Sequence, residues 1–109
     1  MTMDEVIRRL FDGLQKNEAD WCLARKFLKE HAEKNDMTNE QLDDLCFEDS
    51  NWVFDRIYEE DVPLTVHITY NDGSNPFLCI NCSKRTIDDH IKFNRRVNKH
   101  TIKEIMVTC

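Results

Sequence analysis

The chain has 109 residues, of which 40% are hydrophobic and 33% are charged, and its formal net charge at pH 7 is −6. This length fits one hydrophobic core, and two Gly and two Pro leave little material for a flexible linker, so a single domain over 1–109 is predicted. No apolar run approaches the ~20 residues of a bilayer span, and acids precede the first apolar run, unlike in a signal peptide, so we expect a cytoplasmic protein with no membrane partner.

The cysteines differ from those of a small secreted protein. There are five, an odd number, and their spacing is irregular, which argues against a framework of disulfides. We therefore expect thiols at Cys22, Cys46, Cys79, Cys82 and Cys109.

Helical patterns fill the acidic first part of the chain, 1–61. Thr2 and Glu5 have the spacing of a capping box, and apolar residues then recur at helical spacing up to about Asn17. Asn17 is placed to cap a second helix, and the turn-forming pair at 35–36 ends it.

Two shorter helices are predicted next. Thr38 and Gln41 form another capping-box pair ahead of the third helix. The fourth helix begins at Ser50 or Asn51, and Pro63 ends it. Three to four helices are therefore expected before the first strand.

The segment 36–61 is strongly acidic. It contains ten Asp and Glu residues and a single base, Arg56, but it also has enough aromatic residues to fold, so disorder does not explain the acidity. Residues 1–62 hold 17 acids against 8 bases, a balance of −9, whereas 63–109 hold 4 against 7, a balance of +3. The charge is therefore separated along the chain.

Residues 62–109 predict the order strand, turn, strand, helix, strand. Alternating apolar residues indicate a half-buried strand over 64–70, and the strand over 77–82 is apolar on both faces, which favours the centre of a sheet. Thr86 is predicted to open a helix, and 103–109 returns as the third strand. The predicted fold class is α+β, with three to four N-terminal helices packed on a small three-stranded antiparallel or mixed sheet in ββαβ order.

The predicted C-terminal helix separates apolar from charged residues. Its inner arc holds Ile87, His90, Ile91, Phe93, Asn94 and Val97. Its outer arc carries the bases Lys92, Arg95, Arg96 and Lys99. These four bases are an alternative nucleic-acid-binding surface, although a chain of net charge −6 is repelled by a polyanion at long range, so direct nucleic-acid binding is the less favoured hypothesis.

No catalytic or cofactor motif is present. With two glycines in all, no phosphate-cradling loop can form, and no nucleophile motif occurs. Cys79-x-x-Cys82 suggests zinc, but it lies in an apolar strand, where alternation directs the two thiols to opposite faces. A redox role is disfavoured because such a pair belongs at the start of a helix. We expect a non-enzyme with no catalytic residues, no metal and no cofactor.

The acidic helices are the most informative surface. A folded array of carboxylates with interleaved aromatic residues can dock on the basic surface of a protein partner. The predicted partner-binding residues are Asp43, Asp44, Glu48, Asp49, Trp52, Asp55, Tyr58, Glu59 and Glu60. This pattern predicts an inhibitor or adaptor that occupies a nucleic-acid-handling protein in place of phosphates. An acidic surface that only solubilises the chain is the alternative, and attraction between the oppositely charged parts of two protomers would give a homodimer.

Short, acidic, compact and without catalytic signatures, the chain is similar in general character to small inhibitor proteins that phages and other bacterial mobile elements encode. This resemblance implies an inhibitory role.

Overall fold

The computed structural model describes residues 1–109, with five helices and one three-stranded sheet. The helices are α1 (Met3–Leu10), α2 (Glu18–Asn35), α3 (Asn39–Glu48), α4 (Asn51–Glu59) and α5 (Lys84–Val97). The strands are β1 (Leu64–Tyr70), β2 (Phe77–Cys82) and β3 (Ile102–Thr108), and α5 lies between β2 and β3 in the chain. The predicted α+β class is confirmed, and the sheet is antiparallel.

The chain forms two compact units. The helical unit comprises Met1–Lys16 and Asp20–Glu60, and the sheet unit comprises Asn17–Ala19 and Asp61–Cys109. None of the helices combines the length and the apolar character that crossing a membrane requires.

Two threonines begin helices in the helical unit, as their spacing predicts. Thr2 Oγ1 accepts the N–H of Glu5 at 3.2 Å, and Thr38 with Gln41 forms a complete capping box ahead of α3. Ser50 precedes α4 without a side-chain cap. The two threonine caps satisfy backbone donors that the start of a helix otherwise leaves unpaired.

Helix α1 is shorter than its apolar pattern predicts, because it ends at Leu10 instead of near Asn17. The N–H of Leu14 bonds to the carbonyl of Phe11 at 2.9 Å and closes a turn. Gly13 in this turn has a φ of 75°, a backbone conformation that glycine adopts without steric penalty. Phe11 is buried, whereas Leu14 is 51% exposed, so the last apolar residue of the pattern does not belong to the core.

The core of the helical unit is built from the inward side chains of its helices. Its completely buried residues are Val6, Ile7, Ala24, Phe27, Leu28, Leu42 and Val53. Full burial of one large apolar side chain stabilises the fold by about 1.5–3 kcal/mol relative to exposure. Arg56 covers part of this core, since its guanidinium carbon lies 4.1 Å from the centroid of the Phe27 ring.

The central strand of the sheet is β1, because the strand order is β2-β1-β3. The prediction that β2 lies in the middle is therefore wrong. Strand β2 does carry apolar residues on both faces, but Leu78 and Ile80 are 56% and 62% exposed, so nothing buries one of these faces. In β1, Leu64, Val66 and Ile68 are completely buried, and α5 packs against this strand.

A bulge in β2 overturns the prediction of separate thiols at Cys79 and Cys82. Leu64 pairs with Cys82 and Val66 with Cys79, so β2 has one residue more than β1 between these two pairs. Asn81 lies in this interval with a left-handed φ of 55°. Because the extra residue breaks the strict alternation of the strand, the two cysteines form a disulfide, with their Cα atoms 6.4 Å apart.

Helix α5 begins three residues earlier than predicted. Its N-cap is Ser83, whose Oγ accepts the N–H of Thr86 at 3.2 Å, so Thr86 already lies inside the helix. The buried side chains of α5 are Ile87, Ile91 and Asn94. The predicted inner arc is too wide, because Phe93 and Val97 are 51% and 56% exposed.

Candidate functional site

The nine predicted partner-binding residues all belong to the helical unit, but they differ in exposure. The exposed ones are Asp44, Glu48, Asp49, Asp55, Tyr58, Glu59 and Glu60. Asp43 is buried and Trp52 is half-buried. The exposed residues lie on α3, on α4 and at the ends of these two helices.

Asp43 points into the helical unit. Its side chain is only 12% exposed, and Arg9 Nε lies 3.4 Å from its Oδ1. Burial, and after it the charge of Asp43, raises the pKa of the Cys46 thiol to about 11, so this thiol is protonated at neutral pH. Because its side chain is buried, Asp43 offers little carboxylate surface to a partner.

Trp52 packs into the helical unit as well. Its ring centroid lies 4.3 Å from that of His31. Its Nε1–H group is buried without an acceptor, which costs roughly 1–3 kcal/mol. The packing of the indole ring has to offset that cost, so Trp52 belongs to the contact between α2 and α4.

Most acids in 36–61 have no cation partner. Three of its acids form ion pairs: Glu40 with the Met1 amine at 2.9 Å, Asp43 with Arg9 at 3.4 Å, and Glu60 with Arg56 at 2.9 Å. The hydrogen bond from Arg56 holds the pKa of Glu60 below its usual value. The acids without an ion pair are Asp36, Asp44, Glu48, Asp49, Asp55, Glu59 and Asp61. The segment thus presents most of its negative charge to solvent.

Phe47 is more exposed than any other large hydrophobic residue, at 88%. Asp44 lies three residues before it and Glu48 one residue after it, so the three side chains share the outward face of α3. These residues, Asp44, Phe47 and Glu48, form the α3 stripe. The α3 stripe thus holds an apolar ring in water beside two carboxylates that have no ion pair.

Helix α4 repeats the spacing of the α3 stripe. Asp55, Tyr58 and Glu59 form the α4 stripe, in which all three residues are exposed. Tyr58 is 54% exposed, and Lys16 bonds its hydroxyl group while lying 4.7 Å from its ring centroid. The sequence prediction missed Phe47, but the repeated pattern Asp-x-x-aromatic-Glu is visible in the sequence and would have identified it.

A groove of about 580 Å³ lies beside Phe47 in the helical unit. Its lining comes from α1, from the turn after it, from α3 and from Ser50, and its charged members are Arg8, Arg9, Asp12 and Asp43. Charged donors and acceptors are therefore placed next to the exposed ring.

The alternative basic surface on α5 is partly neutralised within the sheet unit, because Arg95 binds Glu18 at 2.5 Å. The other three predicted bases are exposed and have no ion pair, namely Lys92, Arg96 and Lys99. The guanidinium carbon of Arg96 lies 5.8 Å from the ring centroid of the half-exposed Phe93. This surface combines three available cations with one accessible ring.

The structure brings together no group of three or more His, Cys, Asp or Glu side chains that could hold a metal ion. The two sulfurs that the sequence suggested for zinc are bonded to each other, at Cys79 and Cys82. Comparison of the chain with protein-family models, with curated proteins and with solved structures found no match.

Proposed function

We propose that this protein is a non-catalytic binding module, an inhibitor or adaptor, that docks its acidic helical surface on a basic face of a partner protein. The acidic helical surface comprises the α3 stripe, the α4 stripe and the exposed acids Asp49 and Glu60. The observation that carries the proposal is the 88% exposed ring of Phe47 between Asp44 and Glu48. Asp43 and Trp52 support this surface from inside.

Phe47 supplies the apolar part of the proposed contact. Burying such a ring is worth about 1.5–3 kcal/mol relative to leaving it in water. Interfaces commonly concentrate their binding energy in a few such anchors, surrounded by polar residues that exclude water. The adjoining groove gives a side chain of the partner a place to pack against the same ring.

The carboxylates supply attraction at longer range. Asp44 and Glu48 on α3, with Asp55 and Glu59 on α4, face solvent. An array of this kind accelerates encounter with a cationic surface, most strongly at low salt. Proteins that handle nucleic acids carry such surfaces for binding phosphates, so we infer a partner of this class and a surface that mimics a nucleic acid. An origin in a phage or mobile element fits this role.

Affinity capture with the immobilised protein tests the proposal. We expect the wild-type chain to retain a specific partner with a basic surface, and we expect the affinity for the purified partner to fall as salt rises. Phe47→Ala should weaken binding by about 10- to 150-fold, the equivalent of one buried ring. The double variant Asp44→Lys/Glu48→Lys should weaken binding more than Phe47→Ala does, because two attractive charges become repulsive. Isothermal titration calorimetry with the purified partner measures both effects.

The matched control reverses two other exposed acids that have no ion pair, Glu33 and Glu104. Glu33→Lys/Glu104→Lys changes the net charge as much as Asp44→Lys/Glu48→Lys does, and we expect it to bind like the wild type. Wild-type affinity in the Asp44→Lys/Glu48→Lys variant would exclude the α3 stripe as the docking surface. Equal losses in both double variants would show that only net charge matters.

The ring and cations on α5 support a second candidate function, nucleic-acid binding. Phe93 is 51% exposed, and Arg96 lies beside its ring. Proteins bind single strands by stacking bases on accessible rings while cations contact the phosphates. A fluorescently labelled single-stranded oligonucleotide should then shift in a native gel at low salt, and Phe93→Ala/Arg96→Ala should abolish the shift. Lys29→Ala, in the helical unit, is the control, and the absence of any shift for the wild type at low salt excludes this function.

A further inference from the structure

We infer that the Cys79–Cys82 disulfide is a redox-active site that undergoes thiol–disulfide exchange with dithiols. The other three cysteines, Cys22, Cys46 and Cys109, form no disulfide. The bonded pair lies where β2 ends, immediately before Ser83, the N-cap of α5. This inference is independent of the proposed docking function.

Two structural features reverse the sequence arguments against a redox role. The bulge at Asn81 breaks the alternation that would have directed the two sulfurs to opposite faces. Helix α5 starts at Lys84, so Cys82 is only two residues from the first helical residue. The pair therefore has both the proximity and the position at a helix start that such chemistry requires.

The bond is accessible and spans a short loop. Cys79 and Cys82 are both half-exposed, and β2 is an edge strand with β1 as its only strand neighbour. A disulfide constrains the unfolded chain more when the loop that it closes is longer. The separation here is 3 residues, so the bond joins segments that the chain already holds close together. An accessible bond of this kind is suited to exchange more than to stapling distant parts of a fold.

The exchange is a two-electron reduction of the cysteine pair by a dithiol. One thiolate of the dithiol attacks Sγ of Cys79, the S–S bond breaks, and Cys82 leaves as a thiolate. The second thiolate of the dithiol then attacks the sulfur by which the reagent is bound to Cys79, which closes the reagent's own disulfide and releases the Cys79 thiolate. The two cysteines take up the two protons that the dithiol gives up, so the pair is reduced and the dithiol is oxidised.

Cys82 is the leaving group because of its position before α5. The N-terminal end of a 14-residue helix carries the positive end of the helix dipole, which favours a nearby anion. Arg85 in the first turn adds a positive charge, whereas Lys84 is bound to Asp88 at 2.6 Å. In the reduced protein, Cys82 is therefore the more reactive thiol of the pair.

A titration of the intact protein with mixtures of reduced and oxidised dithiothreitol, without denaturant, tests the inference. Samples are quenched with N-ethylmaleimide, and mass spectrometry measures alkylation at each cysteine. We expect Cys79 and Cys82 to become alkylated together, at the same ratio of reduced to oxidised dithiothreitol whether the titration starts from oxidised or from reduced protein. Circular dichroism should show that the helices are retained. Reduction only after denaturation would overturn the inference, as would full alkylation of both residues in oxidised samples.

Single variants identify the reactive sulfur. Cys79→Ser leaves the thiol of Cys82, and Cys82→Ser leaves that of Cys79; with glutathione disulfide we expect Cys82 to form the mixed disulfide about tenfold faster. Cys46 is the internal control and should stay unmodified, because it is buried and its pKa is about 11. Equal rates for Cys79 and Cys82 would overturn the assignment of the leaving group. Rates as slow as that of Cys46 would overturn the inference itself.

Discussion

Individual side chains of the same type have opposite roles in the helical unit. Phe27 is completely buried and lies under the guanidinium group of Arg56, whereas Phe47 is 88% exposed. The acids differ in the same way: Asp43 is buried and ion-paired, while the adjacent Asp44 is exposed and has no ion pair. Exposure and pairing, more than residue type, therefore separate the residues that hold the fold from those available to a partner.

The two phenylalanines allow a matched test of this separation. Phe27→Ala should lower the free energy of unfolding by about 3–5 kcal/mol, because it leaves a cavity in the core. Phe47→Ala should change it by less than about 0.5 kcal/mol, because the ring already lies in water. Urea unfolding followed by tryptophan fluorescence measures both values, since Trp21 and Trp52 both belong to the helical unit. A loss above about 1 kcal/mol in Phe47→Ala would show that this ring contributes to the fold.

Helices α3 and α4 both end in an acid that destabilises the helix. Glu48 is the last residue of α3 and Glu59 the last of α4, so each places negative charge at the negative end of a helix dipole. Each also follows another acid by four residues, Asp44 in α3 and Asp55 in α4, a spacing at which like charges repel. Local stability does not explain these residues, which supports a role for them outside the fold.

The sequence predicts the start of an element well where hydrogen bonds between neighbouring residues determine it. The start of α3 is such a case, because the capping box of Thr38 involves only residues of that turn. The order of the strands depends on what covers each face of the sheet, and the strand's own residues do not contain that information. The disulfide depended on one extra residue at Asn81, which the alternating pattern of β2 does not reveal. The exposure of Phe47 could not be predicted from the apolar pattern of the sequence either, because its neighbour Cys46 is also apolar. Only the packing of α3 on α1 determines that Cys46 faces inward and Phe47 outward.

The charge of the whole chain is unbalanced. The net charge is −6, and residues 1–62 carry 17 acids against 8 bases. Three acids of 36–61 find cations, and the rest face solvent without an ion pair. Repulsion among like charges destabilises a compact state. A chain that keeps such a surface has an unfolding free energy that depends on how well its charges are screened.

Salt should therefore stabilise the wild-type protein. Raising NaCl from about 0.01 M to about 0.15 M shortens the Debye length from about 30 Å to about 8 Å, so the free energy of unfolding should rise. The variant Glu48→Lys/Glu59→Lys changes the net charge from −6 to −2 and converts two repulsive helix pairs into attractive ones. We expect it to be more stable than the wild type by about 1–2 kcal/mol at low salt, to depend less on salt, and to have lost partner binding. Urea unfolding at the two salt concentrations measures these differences. A variant less stable than the wild type would show that Glu48 and Glu59 stabilise the fold and are not kept for binding a cationic partner.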